Sequence, residues 1–177
     1  MANAGGFPMT ISYRRGEIDD AATIDRIFNT SFCETFAHLY APDDLEAFLS
    51  GFTIAQWEAQ LRDPAFAFGI GEVDGEPVGY VKLGPMKLPV EPHGPALLLS
   101  QLYVLKEHHG SGVAPGLMDW ALAEAAQRGA KELFLTVFTD NHRARRFYER
   151  YGFEPAGRYA FMVGRQADED VIMRKRL

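Results

Sequence analysis

Two glycines separate an apolar run from a helical pattern near the middle of the chain. Residues 97–105 (LLLSQLYVL) are apolar over the length of a strand, which predicts a strand buried on both faces. Gly110 and Gly112 follow, and apolar residues resume at helical spacing from Val113. Glycine lets a ligand approach the main chain, and a helix start presents free N–H groups and the positive end of its dipole. The turn therefore predicts either a phosphate site or an ordinary strand-to-helix turn that needs glycine for its geometry.

Two common nucleotide-binding motifs do not fit this turn. A dinucleotide fingerprint would require a third glycine where Pro115 stands, and a P-loop would require Gly-Lys-Ser/Thr, which the turn lacks. Pro115 instead suits the first turn of a helix, where its missing N–H costs little. A second motif is needed to interpret the turn.

That second motif lies in residues 141–153 (NHRARRFYERYGF), and the two together resemble the GNAT family of acyl-CoA-dependent N-acetyltransferases. The family's Gln/Arg-x-x-Gly-x-Gly/Ala motif follows a strand that ends in Leu-Tyr-Val. Here Leu102, Tyr103 and Val104 precede the turn, Gly112 and Ala114 match the small residues, and His109 stands at the first position. The family's Asn-x-x-Ala-x-x-x-Tyr-x-x-x-Gly-Phe motif is matched at Asn141, Ala144, Tyr148, Gly152 and Phe153. The resemblance is good from about residue 73 onward and loose before it.

The resemblance implies acetyl-CoA as co-substrate, with no metal. Pantetheine carries amides, so it can bond to the main chain of Leu102 and Val104 like an added strand, and the pyrophosphate would rest on the turn. Asn141 would be a polar contact to coenzyme A, or a plain helix cap. The cofactor-binding residues implied are Leu102, Tyr103, Val104, His109, Gly110, Ser111, Gly112, Val113, Ala114, Asn141 and Tyr148.

Acetyl transfer to an amine also needs an acid and a base. Tyr148 is the candidate general acid, because a phenol of pKa about 10 can protonate a departing thiolate whose conjugate acid lies near 8.5. Many family members carry a glutamate on the central strand, but Leu98 and Ser100 stand there. Glu34 is the candidate base, directly or through water, although an exposed helical glutamate is the competing interpretation.

The predicted activity is acetyl transfer to a primary amine of a small molecule by direct attack on the thioester. The C-terminal sequence and the early FCETF resemble spermine/spermidine-type acetyltransferases, and residues 17–63 hold ten acidic residues against two arginines, which suits a polyamine. The alternative is a non-catalytic acyl-CoA-binding or sensor module. It is suggested by the central strand, which lacks the glutamate of many family members, and by His109, which stands where the family motif has Gln or Arg.

Composition excludes several other classes. With 177 residues and 47% hydrophobic content, a single domain spanning 1–177 is expected. The net charge of −6 argues against nucleic-acid binding. No apolar run is long enough for a membrane span, and the start lacks a signal pattern, so a cytoplasmic protein is expected. Cys33 is the sole cysteine, which rules out an internal disulfide. The sequence is compatible with a homodimer.

The order of elements predicts an α/β (α+β) fold with a mixed, mostly antiparallel central sheet of six to seven strands flanked by helices. Residues 9–15 form a first strand, Asp19 or Asp20 caps a helix, and a second helical stretch from Pro42 is interrupted near Gly51. A hairpin around Asp74-Gly75 follows, and then a Pro/Gly-rich loop over 84–96.

The second half of the chain predicts a parallel strand–helix–strand unit. Gly129 ends the central helix, and residues 131–138 form a buried strand parallel to the strand before the turn. A short arginine-rich helix is capped at Asn141 or Asp140 and ends at Gly152. Residues 158–163 and 171–176 then form a last hairpin around the polar segment GRQADED.

Overall fold

The computed structural model describes residues 8–177, and in them the chain forms one seven-stranded sheet flanked by five α-helices. The strands are β1 (Ile11–Arg15), β2 (Ala67–Val73), β3 (Glu76–Pro85), β4 (Ala96–Val104), β5 (Glu132–Phe138), β6 (Glu154–Val163) and β7 (Gln166–Arg176). The helices are α1 (Ala21–Phe36), α2 (Pro42–Ser50), α3 (Ile54–Arg62), α4 (Val113–Gln127) and α5 (His142–Arg150). The first residues, which were predicted to lack a signal pattern, lie in part outside the described residues. The single-domain organisation stays a prediction.

The strand order is β1-β2-β3-β4-β5-β7-β6, and only the β4–β5 pair is parallel. The predicted mixed, mostly antiparallel sheet and its parallel unit are therefore confirmed. Asp74 and Gly75 form the predicted hairpin turn, both with positive φ. Gly129 and Gly152 adopt positive φ just beyond α4 and α5. Among the described helices, none combines the length and hydropathy needed to cross a membrane.

Asp20 directly precedes α1, but its carboxylate does not cap that helix as expected. It instead accepts hydrogen bonds from the Arg14 guanidinium (2.8 Å) and from the Glu17 N–H (2.8 Å). Arg14 is the stronger partner because it is charged, and its contact holds the pKa of Asp20 below the usual value. Asp20 thus ties the start of α1 to β1.

Helices cover both faces of the sheet. On one face α4 packs so closely that a Cβ at Gly69 would lie 2.5 Å from Trp120, and one at Gly71 would lie 3.0 Å from Val113. On the opposite face the ring of Tyr103 packs edge-on to Phe28 of α1, at 5.5 Å between centroids. These two faces are called the α4 face and the α1 face. The short α5 lies beside α4, since the Tyr151 hydroxyl donates to the Pro115 carbonyl (3.0 Å).

Strands β4 and β5 pair over three residues only, Ala96–Leu98 with Glu132–Phe134, and then separate. The prediction that residues 97–105 are buried on both faces is therefore wrong for much of β4. Only Leu99 and Val104 of β4 are buried, and Ser100 is exposed. Beyond Leu98 the apolar run has no paired neighbour on its β5 side, so its later residues border a gap in the sheet.

The last hairpin is longer than predicted. Strand β7 begins at Gln166, so the turn consists of Gly164 and Arg165, and the acidic residues of GRQADED belong to the strand. The prediction of a polar loop there is wrong because Asp168 and Asp170 point into the protein, where the Asp168 carboxylate accepts from a hydroxyl and an amide. The two aspartates thereby reach the gap between β4 and β5.

Candidate active site

A cavity of about 200 Å³ fills the gap between β4 and β5. Its walls come from both faces of the sheet: Ser31, Phe32, Thr35, Phe36 and Tyr40 lie on the α1 side, and His109, Asn141, Ala144 and Tyr148 lie on the α4 side. Residues of β4, β5, β6 and β7 complete the lining. The gap therefore connects one face of the sheet to the other.

The edge of β4 offers free main-chain groups to this cavity. The Leu105 N–H donates to the Val78 carbonyl (2.9 Å), so Leu105 bonds toward β3. Main-chain groups of successive residues point to opposite sides of a strand, so those of Leu102 and Val104 point toward the gap. These are the two residues predicted to bond pantetheine.

His109 occupies part of that edge. Its Nδ1 accepts a hydrogen bond from Arg143 of α5 (2.8 Å), so its Nε2 carries the proton and donates to the Val104 carbonyl (2.8 Å). The imidazole therefore joins the end of β4 to α5. At Val104 the N–H, rather than the carbonyl, is the group left for a ligand.

The glycine turn has the geometry that an anion site requires. Gly110 and Gly112 adopt left-handed φ values of 78° and 99°, which favour glycine. Gly112, Val113 and Ala114 begin α4, where N–H groups have no partner within the helix. The Ser111 hydroxyl donates to the His108 carbonyl (2.6 Å) and so shapes the turn.

Two predicted residues of α5 reach the cavity. Asn141 caps the helix, because its Oδ1 accepts from the Ala144 N–H at 3.2 Å, and its Nδ2 is the donor left for a ligand. Tyr148 is buried against Phe147 and Phe153, and burial raises the pKa of its phenol to about 12. The phenol therefore holds its proton throughout the neutral range.

Tyr103 and Glu34 differ in their relation to the cavity. The Tyr103 ring lies on the α1 face, and the pKa of its phenol is raised first by burial and then by the charges of Tyr148 and Asp170. Tyr103 thus stands between the α5 residues and β7. Glu34 is exposed on α1 and does not line the cavity, so the structure does not bring it to the other predicted residues.

The cavity also contains two carboxylates that the sequence interpretation missed. Asp168 accepts hydrogen bonds from the Tyr40 hydroxyl and from Gln166 Nε2 (2.9 Å). The pKa of Asp170 is raised to about 6, chiefly by burial and further by the charge of Asp168, while a hydrogen bond from Thr136 opposes the rise. The available signal was a period of two, since Asp168 and Asp170 share a strand face with Ile172.

Comparison with known proteins identifies the family to which this site belongs. The Acetyltransferase (GNAT) family matches residues 29–153, most of the chain. The chain is a GNAT acetyltransferase. It is 34% identical over 138 residues to an uncharacterized N-acetyltransferase of Mycobacterium tuberculosis, covering 77% of this chain and 85% of the relative. The predicted N-acetyltransferase with acetyl-CoA as donor is thereby confirmed at the level of the family.

Solved structures support the fold of this GNAT chain. PaiA N-acetyltransferase of Thermoplasma acidophilum, solved in complex with coenzyme A, superposes with a TM-score of 0.77 at 19% identity, covering 95% of this chain and 99% of that one. YncA of Salmonella typhimurium, solved with acetyl-CoA, gives a TM-score of 0.72 at 19% identity, with coverage of 95% and 94%. At these identities the likeness shows the shared fold.

Proposed function

We propose that this GNAT chain transfers the acetyl group of acetyl-CoA to a primary amine of a small molecule, by direct attack of the amine on the thioester. The observation that carries the proposal is the gap between β4 and β5, which connects the two faces of the sheet. The features suited to binding the acetyl donor lie on the α4 face: the free edge of β4, the glycine turn and Tyr148. The α1 face supplies hydroxyls and two carboxylates that suit an amine.

The chain's own groups match the steps of this transfer. The N–H groups of Leu102 and Val104 are the candidate donors to pantetheine and to the thioester carbonyl, whose oxygen gains negative charge as the amine attacks. As the C–N bond forms and the C–S bond breaks, the electron pair passes to sulfur. Sulfur then takes the proton of Tyr148. The nitrogen of the ammonium loses two protons in all on its way to the amide, and the second of them restores the phenol.

The raised pKa of Tyr148 is compatible with this role. A phenol with a pKa near 12 is a weaker acid than a free thiol with a pKa near 8.5. Complete proton transfer from the phenol to the thiolate in water would therefore be unfavourable. The departing thiolate is an anion in the same buried place, and the same burial raises the pKa of its thiol too. We expect Tyr148 to donate a hydrogen bond to sulfur early and its proton late.

A polyamine is the narrower version of the proposed acceptor. The acidic segment that suggested it is partly used within the protein, where Asp20 binds Arg14, Asp25 accepts from the Trp57 indole (2.9 Å) and Asp44 binds Arg165. Asp168 and Asp170 are closer to the transfer site and give the better support for a cationic acceptor. Spermidine belongs in the first panel of amines for that reason.

Thiol release from acetyl-CoA with a panel of amines tests the proposal. We expect amine-dependent release, and we expect Tyr148→Phe to lower kcat about 100-fold or more while acetyl-CoA affinity stays within twofold. Tyr151→Phe is the matched control, since its hydroxyl bonds to Pro115 outside the cavity. If acetyl-CoA binds and no amine is acetylated, the acyl-CoA sensor is favoured over the enzyme.

A further inference from the structure

The α1 side of the cavity holds a negative site without a counterion. Asp168 and Asp170 are 9% and 6% exposed and lie two residues apart on one face of β7. Among residues 8–177, no lysine, arginine or histidine forms an ion pair with either of them. Burying a carboxylate without a cation is costly, and a bound cation would offset that cost.

The two aspartates are not equivalent. The Asp168 carboxylate is engaged by the Tyr40 hydroxyl and the Gln166 amide, which hold it in place as a fixed negative charge. The Thr136 hydroxyl favours ionisation of Asp170, and the nearby Asp168 charge opposes it. Asp170 is therefore the carboxylate with capacity to bind a ligand and to accept a proton.

An unpartnered hydroxyl lines the same cavity. Ser31 of α1 is 4% exposed, and its Oγ has no hydrogen-bond partner within the described part of the chain. A buried hydroxyl without a partner destabilises a protein, and Ser31 belongs to the cavity wall, so a polar ligand that reaches its Oγ would supply the partner. It is a second observation, independent of the carboxylates, for a polar ligand at this end.

The remaining walls of this end are aromatic. Phe32 and Phe36 come from α1, Phe138 from β5 and Phe161 from β6. Such walls favour an apolar chain behind the polar group that the carboxylate binds. A cation on an apolar chain matches both parts of the lining.

We propose that Asp170 binds the ammonium group of the acceptor and takes its first proton, with Ser31 as a second contact to the nitrogen, so that the enzyme acetylates primary amines on an alkyl or arylalkyl chain. The proton passes from R–NH3⁺ to the Asp170 carboxylate, and the nitrogen lone pair then forms the C–N bond. Asp170 later returns its proton to solvent. This assignment rests on the function proposed above.

The proposal predicts a pH profile. The titratable groups nearest Asp170 are Asp168 on its own strand, Tyr40 after α1, Tyr103 on β4 and Tyr159, its cross-strand partner on β6. The cavity is also lined by His109. The phenols of Tyr40 and Tyr103 have raised pKa values. The pKa of Asp170 is raised to about 6, and we assign the acid limb of the profile to this carboxyl. Below about pH 6 it is protonated and cannot receive the ammonium proton, so kcat/KM for the amine should fall on that side.

The kinetic test compares Asp170→Asn with Glu169→Gln, using n-hexylamine as acceptor. Glu169→Gln is the matched control because this substitution removes the same charge from the same strand at a position outside the cavity. We expect Asp170→Asn to lower kcat/KM about 100-fold or more and to remove the acid limb, with acetyl-CoA affinity within twofold. Ser31→Ala should raise KM several-fold. An Asp170→Asn enzyme that keeps its acid limb and its kcat/KM within threefold overturns the proposal.

A binding test separates this proposal from the proposed function. Calorimetry measures n-hexylamine and its neutral analogue n-hexanol on the protein saturated with coenzyme A. Asp170→Asn should weaken hexylamine binding at least tenfold and leave hexanol binding within twofold. Equal loss for both ligands, or no hexylamine binding by the wild type, overturns the assignment. Asp170-dependent binding without thiol release from any amine would support the site and contradict the transferase chemistry.

A stability measurement distinguishes a ligand-binding carboxylate from a structural one. Because its pKa is raised in the folded state, ionised Asp170 costs stability at pH 7, and Asp170→Asn should melt at the same or a higher temperature. A structural aspartate would lose stability on this change. A clear fall in Tm for Asp170→Asn, with Glu169→Gln unchanged, would count against the proposal.

Discussion

Tyr13 and Gly116 show how one side chain braces the glycine turn. The Tyr13 hydroxyl donates to the carbonyls of Gly112 (3.0 Å) and Val113 (3.3 Å), and its ring lies directly on Gly116. A Cβ at Gly116 would come within 2.0 Å of that ring. The ring of Tyr13 is therefore the reason for glycine inside α4, where alanine would otherwise be the better helix former.

Gly116→Ala should therefore destabilise the protein. Helix propensity favours alanine by about 1 kcal/mol, whereas displacing the Tyr13 ring and its hydrogen bonds costs about 1–3 kcal/mol. We expect a net loss of about 1 kcal/mol in urea unfolding. In a Tyr13→Ala background the same change should become neutral or stabilising. Stabilisation of the wild type by Gly116→Ala would show that Tyr13 moves aside freely.

At this scale, the sequence predicted residues in motifs better than residues brought together by the fold. His109, Asn141 and Tyr148 follow fixed spacings, and all three line the cavity. Asp168 and Asp170 were missed because acidic residues are depleted in strands and read as a turn. Their burial depends on partners far away in sequence, such as Tyr40, which spacing alone does not reveal.

Among the elements, α4 is anchored by one buried carboxylate. Glu124 is 7% exposed and accepts from Arg15 of β1 and from Arg128 Nε (2.7 Å). Arg128 in turn donates to the Pro64 carbonyl (2.7 Å), so the C-terminal end of α4 is joined to the segment before β2. These contacts, Arg15 first, lower the pKa of Glu124.

The lowered pKa fixes the sign of a pH effect. Folding favours the ionised Glu124, so its contribution is complete above its unfolded pKa of about 4.3 and is lost as pH falls through the lower folded value. Glu124→Gln should cost about 1–3 kcal/mol at pH 7, and the difference from wild type should narrow below about pH 4. Urea midpoints between pH 7 and 3 measure it, with the exposed Glu149→Gln as control. A stability difference between Glu124→Gln and the wild type that does not change with pH would show that packing, not charge, anchors α4.

Element boundaries were predictable where local chemistry sets them. Asp74-Gly75 and Gly129 are turn residues whose positive φ values follow from residue type. The burial of β4 was not predictable in this way, because an apolar run reads alike whether a strand or a ligand covers it. Its three-residue pairing with β5 is a property of the whole sheet.

The whole sheet consists of two halves, β1 to β4 and β5 to β7, joined by that short parallel ladder. Further contacts between the halves are local, such as the His109 bridge from Val104 to Arg143. A ligand that bonds to the free edge of β4 would replace part of the missing ladder. Donor binding should therefore stabilise the gap more than the outer strands.

Hydrogen exchange with and without coenzyme A tests this last point. Bound ligand should slow exchange in peptides covering residues 99–104 and 109–117, because N–H groups at Leu102, Val104 and the start of α4 gain partners. Peptides within β2, which pairs with β1 on one side and β3 on the other, are the internal control. At 100 times Kd, ligand should add about 2.7 kcal/mol to global stability. Protection spread evenly over β1 to β3, with none at the β4 edge, would mean that coenzyme A binds outside the gap.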